Sequence, residues 1–391
     1  MLKKIYLFDT TLREGIQGTG NFIPLKKRIE VANLAEEIGI DTIQIGYPAA
    51  SDYEEKAVRT LSEQIGKGTR INVFSGCKER DIRIAGESCR KENSEIELLV
   101  SGSDILLEYK RGISREENVE EMLKCIEYAK KLFPNGITVT FEDSGRADLQ
   151  YLNDLAQKAI SHGVTKISIP DTTGYCLPKE YGKIISNIKQ VVRNSKKNIK
   201  ISSHCHNDLG LAVANSLSAL ENGADEIQTT FLGIGERCGI TTTHTLLMAL
   251  TARSHALKYV QYIDAKKICE TSYAVAKIFN RAVPKEEPLI GRNTFSTEAG
   301  MHQAGMLASP STYEIIDPYL FNRKREISIG PFSGKNAINE KCVELGFTLS
   351  PDELNAVVRV IKSQTSAMIK KDKLIELIKK GIKKGAGKCA Q

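Results

Sequence analysis

Short runs of β-branched and apolar residues alternate with longer stretches of helical period through residues 1–255. The strand-like runs are Lys4–Phe8, Thr42–Gly46, Ile71–Phe74, Ile96–Val100, Ile137–Phe141, Lys166–Ile169, Ile199–Ser203 and Glu226–Phe231. Between the first two, Leu25–Ile38 shows helix-period apolar positions at Ile29, Val31, Ala32, Leu34, Ala35 and Ile38; Glu116–Leu132 and Leu149–Ile160 read the same way. Glycines just ahead of strands, as in Ile38-Gly39-Ile40 and Asn222-Gly223, suit helix C-caps. Such alternation implies parallel strands joined by right-handed crossovers. Eight units predict an α/β fold, a closed (β/α)8 TIM barrel over residues 1–255. The competing architecture is an open doubly wound sheet. Its Gly-rich phosphate turn is missing from Asp9–Gly15, which follows the first run.

Beyond residue 255 the rhythm stops. Ala265–Phe279 and most of Pro351–Lys384 have helical character, Ile327–Pro331 is short and strand-like, and Arg292–Tyr313 reads as a linker carrying polar function. The expectation is a smaller, mainly helical subdomain over 256–369 and a basic, frayed tail over 370–391. That tail holds eight lysines against Asp372 and Glu376, so it accounts for most of the formal charge of +7. No aromatic residues interleave with its lysines for base stacking. A solvated helix end is the reading, with no nucleic-acid partner.

Bulk properties narrow the class. Hydrophobic content of 41% and charged content of 26% are ordinary for a soluble globular chain. No run of eighteen apolar residues predicts a membrane span, and the N-terminus lacks the features of a signal peptide. Nine scattered cysteines without a C-x-x-C pair favour reduced thiols and a cytoplasmic protein.

The chemistry gathers where strands end. His204 and His206, two apart at the end of the seventh run, project to one side. Glu14 follows the first run. One carboxylate and two imidazoles can hold a divalent metal with positions left open for substrate. The bland alternatives are strand-end histidines bonded to solvent or backbone, and a local Arg13–Glu14 ion pair. Polar clusters also follow the fifth, sixth and eighth runs: Glu142–Arg146, Asp171–Gly174 and Gly233–Gly239. In a barrel these loops share the C-terminal face, where active sites lie.

Taken in order, Asp9-Thr10-Thr11-Leu12-Arg13-Glu14-Gly15-x-Gln17, Glu142-Asp143-x-x-Arg146, Pro170-Asp171-Thr172-x-Gly174, His204-x-His206-Asn207-Asp208-x-Gly210, Gly233-x-Gly235-Glu236-Arg237-x-Gly239 and Glu298-Ala299-Gly300-Met301-His302 with Pro310–Glu314 resemble the DRE-TIM metallolyase family. Within it the chain looks like the homocitrate synthase and 2-isopropylmalate synthase branch. The resemblance implies a metal-dependent Claisen-type condensation of acetyl-CoA with a 2-oxo acid, releasing CoA and an alkylmalate-type product. It implies one divalent metal (Mg2+, Mn2+ or Zn2+) on Glu14, His204 and His206. Catalytic roles fall on Arg13, Glu142, His302 and Tyr313, and substrate-binding roles on Gln17, Arg146 and Thr172. A homodimer is implied too. Citramalate or Re-type citrate synthase is the alternative, as is a carbon–carbon lyase or aldolase on the same scaffold; the lyase's cysteine loop is not found.

The branch is divided at the level of substrate. Ile240-Thr241 and Leu232–Arg237 are similar to homocitrate synthases, and Ile240 stands where isopropylmalate synthases have a metal-proximal Asn. The basic residues that would hold the distal carboxylate of 2-oxoglutarate fall at or near Phe74, Leu107 and Thr138, none of them basic. Gly300–Gln303 and Phe332–Lys335 look more like isopropylmalate synthase, but the leucine-binding regulatory domain of many such enzymes is not expected in this chain.

Overall fold

A computed structural model describes residues 3–66, 68–90, 92–365 and 369–386. Eight parallel strands close on themselves in chain order: β1 (Tyr6–Asp9), β2 (Thr42–Gln44), β3 (Arg70–Gly76), β4 (Ser94–Ser101), β5 (Ile137–Glu142), β6 (Lys166–Asp171), β7 (Lys200–Cys205) and β8 (Glu226–Thr229). The ring is sealed by β8 pairing with β1, Tyr6 opposite Glu226 and Asp9 opposite Thr229. A helix follows each strand, from Leu25–Glu37 after β1 to Thr243–Ala252 after β8. The eight expected strands and the barrel are all present.

The helices obey their local sequence. Ser114 opens Arg115–Lys130 with a capping box, its Oγ accepting from the Glu117 amide while Glu117 reaches back to the Ser114 amide. The buried face of that helix is Val119, Met122, Cys125, Ile126 and Ala129, spaced as a 3.6 period demands.

The chain divides into two compact units, Met1–Ala282 and Val283–Gln391. The first continues past the barrel proper. Tyr259–Val260 pairs in parallel with Lys3–Lys4, and helix Ile268–Ile278, which packs against Leu25–Glu37, buries Ile268, Cys269, Val275 and Ala276.

The second unit is mainly helical. Its core joins Ile329, Ile338, Val357, Ile361, Leu374 and Ile378 from helices Lys335–Glu344, Pro351–Lys362 and Lys371–Ala386 and the turn before them. The linker expected at 292–313 instead contains helix Gly300–Ala308. Its glycines disguise it. A Cβ on Gly300 would meet the Gly334 amide at 2.9 Å, and one on Gly305 would meet the Tyr313 ring at 2.7 Å, so close approach dictates both. The strand-like run at 327 is the two-residue Glu326–Ile327, paired with Ser296–Thr297. Of the predicted tail, 371–386 is helical, and 387–391 lie outside the described residues. Among the described residues no helix is long and apolar enough to cross a membrane.

The barrel interior is polar at mid-height, unlike the branched apolar layers usual in this architecture. Gln44, Asn72, Glu97, Thr140 and Gln228 hydrogen-bond to one another across it. Nearer the N-terminal ends of the strands, Lys166 bonds Glu226 at 2.7 Å and lies 3.6 Å from Glu95.

Candidate active site

The sequence brings metal-ligating groups to the C-terminal ends of β1 and β7. Thr10 caps a tight π-helical turn, Thr11–Gly15, its Oγ1 accepting from the Glu14 amide at 3.4 Å. The turn buries both Arg13 and Glu14. His204 lies within β7 and His206 one step beyond it, held by a bridge to Ile240. His204 Nε2 and His206 Nε2 are 3.3 Å apart, and His206 Nε2 is 3.8 Å from Glu14 Oε1. One donor atom from each of these three buried residues falls within 4.8 Å of the others.

This donor set fits a divalent cation. Two nitrogens bound at roughly 2.1 Å to one tetrahedral ion stand roughly 3.4 Å apart, close to what is observed. The remaining ring nitrogen of His204, Nδ1, faces Gln228 Oε1 at 2.7 Å, the outer partner a ligating imidazole requires. Ile240 is buried beside His206 and adds no ligand.

Electrostatics agree. Burial disfavours charge on both imidazoles, and at His204 the neighbouring His206 adds to it: the His204 pKa is lowered to about 4, and that of His206 lies below the ordinary value. Burial alone would raise Glu14, but Arg13 and the two histidines outweigh it and hold the carboxyl at about 2. At neutral pH the trio is therefore one carboxylate and two neutral imidazoles, all ready to ligate. The Arg13–Glu14 ion pair also exists, at 2.5 Å through Oε2; Glu14 Oε1 accepts from the Glu236 amide at 3.2 Å.

Above the trio is a cavity of about 330 Å³ lined by Arg13, Glu14, Gln17, Phe74, Glu97, Leu99, Thr140, Glu142, Pro170, Thr172, His204, His206, Glu236 and Arg237. Arg13 stacks on the Phe74 ring at 4.4 Å, with Nε donating to Gln44 Oε1 at 2.6 Å. Glu142 closes one side and is paired with Lys110 at 2.6 Å. Thr172 Oγ1 accepts from the Asp143 amide. Gln17 lines the cavity with an exposed side chain.

Arg146 is not brought in: it is not among the lining residues and pairs with Asp143 at 2.9 Å. His302 and Tyr313 belong to the second unit, where their rings stack at 4.1 Å. Arg237 anchors its loop by donating to both Asp208 carboxylate oxygens and to the Thr172 carbonyl. Sequence reasoning missed Lys110, Gln44, Glu97 and Gln228. The last three are polar residues within strands, indistinguishable in sequence from the solvent face of a strand.

Family models match in the same places. Residues 4–275 match the HMGL-like model, and residues 289–368 match the homocitrate synthase post-HMGL domain-like model. The chain belongs to the HMGL-like family. Within this family it is 37% identical over 361 residues to 2-isopropylmalate synthase of Dictyoglomus turgidum, covering 92% of this chain and 71% of that protein. It is 35% identical over 363 residues to 2-isopropylmalate synthase of Pyrococcus abyssi, covering 92% and 74%. These relatives put it in the homocitrate synthase and 2-isopropylmalate synthase branch. Hydroxymethylglutaryl-CoA lyase from Pseudomonas aeruginosa shares the fold, with a TM-score of 0.61 at 16% identity over 72% of this chain and 95% of that one.

Proposed function

We propose that this chain condenses acetyl-CoA with a 2-oxo acid at the Glu14–His204–His206 centre, and that water then hydrolyses the resulting thioester to release CoA and an alkylmalate-type product. The observation that carries the reading is the convergence of those three donors at the foot of one cavity. A divalent cation bound there supplies Lewis-acid polarisation of the 2-oxo carbonyl. Arg13, fixed by Gln44, Glu14 and the Phe74 ring, stabilises the oxygen as it becomes an alkoxide. Thr172 holds the substrate carboxylate, with Gln17 at the rim. Glu142 serves as a base toward the thioester methyl group, and His302 and Tyr313 are further acid–base groups of the reaction. Arg146 contributes through Asp143. The working form is a cytoplasmic homodimer.

Phe74, Leu99 and Pro170 give the cavity an apolar wall. The two arginines that line it are committed, Arg13 to Glu14 and Arg237 to Asp208. Among the described residues that line the cavity, a second, distal carboxylate would find no unpaired arginine, so 2-oxoisovalerate is the favoured substrate, in accord with the names of the relatives. The post-barrel match and Ile240-Thr241 favour 2-oxoglutarate as the second reading. Neither the citramalate, citrate nor cleavage alternative is favoured by the relatives.

The experiment is free-thiol release from acetyl-CoA with Mn2+-loaded protein and 2-oxoisovalerate, 2-oxoglutarate, pyruvate or oxaloacetate. Metal-dependent release with 2-oxoisovalerate is the expected result. Release with 2-oxoglutarate would reassign the substrate, and silence with all four would reject the condensation.

A further inference from the structure

Beneath the three donors lies a buried carboxylate to which the proposed reaction gives no role. Glu97, on β4, is 1% exposed. Its Oε2 accepts from Gln44 Nε2 at 2.8 Å, and its Oε1 accepts from Thr140 Oγ1 at 2.5 Å and Gln228 Nε2 at 3.3 Å. Two glutamine side chains, from β2 and β8, thus turn their NH2 groups toward one carboxylate.

A primary amide is ambiguous by nature: it can present oxygen or nitrogen to either neighbour. A carboxyl group whose two oxygens both accept, as those of Glu97 do, is not. Facing Glu97, both amides must point nitrogen down and oxygen up. Gln44 Oε1 then accepts from Arg13 Nε at 2.6 Å, and Gln228 Oε1 meets His204 Nδ1 at 2.7 Å. Gln44 is saturated in this orientation, since Thr10 Oγ1 also donates to its oxygen and Asn72 Oδ1 accepts from its nitrogen. An amide oxygen opposite His204 Nδ1 requires a hydrogen on that nitrogen. The bare nitrogen is then Nε2, the one that faces His206 and Glu14.

We propose that Glu97 is a positioning residue: acting through Gln228, it sets the tautomer of His204. The inference rests on the reading of Glu14, His204 and His206 as a metal centre. It goes further by assigning the polarity of that centre to a residue that does not ligate. Glutamine in place of Glu97 keeps the volume but can offer NH2 upward, which frees the Gln228 amide to turn over; Gln44 stays held by Arg13 Nε, which can only donate.

The test uses the full chain, Glu97→Gln, and Mn2+ alone as the probe. Calorimetric titration should give a dissociation constant raised about 10-fold or more, the usual scale for an outer partner of a ligand. Nitrogen NMR of metal-free protein should give His204 as the Nδ1–H tautomer in the wild type and as a mixture in the variant. The melting temperature separates these effects from unfolding. Gln228→Met, which deletes the amide without touching Glu97, should weaken Mn2+ to a similar degree, and the double variant should add little. Mn2+ affinity within about twofold of wild type in either single variant, with the Nδ1–H form retained, overturns the proposal. Wild-type protein that takes up no Mn2+ would overturn the metal-centre reading itself; wild-type binding left untouched by both variants would overturn this inference alone.

Discussion

The two ends of the barrel interior handle buried charge in opposite ways. At the N-terminal end, Lys166 is set against Glu226 and Glu95, and Arg70 reaches Glu95 at 2.5 Å. Burial works against charge on Lys166, but the carboxylates prevail and raise its pKa. Cations and anions there answer one another. At the C-terminal end, two neutral imidazoles turn their Nε2 atoms toward each other at 3.3 Å beside a carboxylate oxygen, and His206 Nδ1 is buried without a hydrogen-bond partner. Arg13 answers Glu14, but the two imidazoles bring no charge and leave a buried nitrogen without a partner. A fully paired cluster holds a fold together; one with open donor atoms suits something that arrives from solution.

Substitutions can break this contrast. His204→Ala should abolish Mn2+ binding and lower thiol release by at least about 10³-fold, the scale of losing several kcal/mol of Lewis-acid stabilisation, while thermal stability hardly changes. Lys166→Met should do the reverse. Removing one partner from a buried ion pair costs about 3–5 kcal/mol of stability, measured by urea unfolding, yet turnover per folded molecule should hold. Glu142→Gln, at the cavity wall, should cut kcat by about 10²-fold or more with Mn2+ affinity intact, as expected of a base that does not ligate.

The smallest expected effect is that of pH. Protons compete with metal for imidazole nitrogen, so lowered pKa values postpone the loss of binding as pH falls. Two unperturbed histidines would lose affinity steeply from about pH 6.5 downward. With His204 at about 4, Glu14 at about 2 and His206 below its ordinary value, competition sets in below that range. Mn2+ affinity should drop by less than about tenfold between pH 7 and pH 5. A steep loss near pH 6.5 would show the imidazoles to be ordinary.

The two ends also differ in how legible they were. Residues at the C-terminal end stand out in sequence because they break pattern: Arg13-Glu14 and His204-x-His206 are polar words placed where apolar strands stop. The barrel could be read from strand–helix alternation, since that periodicity is imposed by burial on the helices' inner faces. The interior network could not. Glu97 sits in Ser94–Ser101 with polar and apolar residues alternating at its start, a pattern identical for a strand with one face in water. Only closure of the barrel turns that polar face inward and sets Glu97 beneath the site. Lys110 escaped for another reason: its pairing with Glu142 joins the helical turn Leu107–Arg111 to the end of β5, 32 residues away, and no local spacing encodes it. Helix Gly300–Ala308 was hidden because close packing onto Gly334 and Tyr313 selects glycine over better helix formers.

The most direct test of the account is a Mn2+ titration of the full chain beside Glu14→Gln, His204→Ala and His206→Ala. The account predicts one ion per wild-type chain and loss of that site in each of the three variants. Undiminished binding in any of them, or no stoichiometric binding in the wild type, would contradict it.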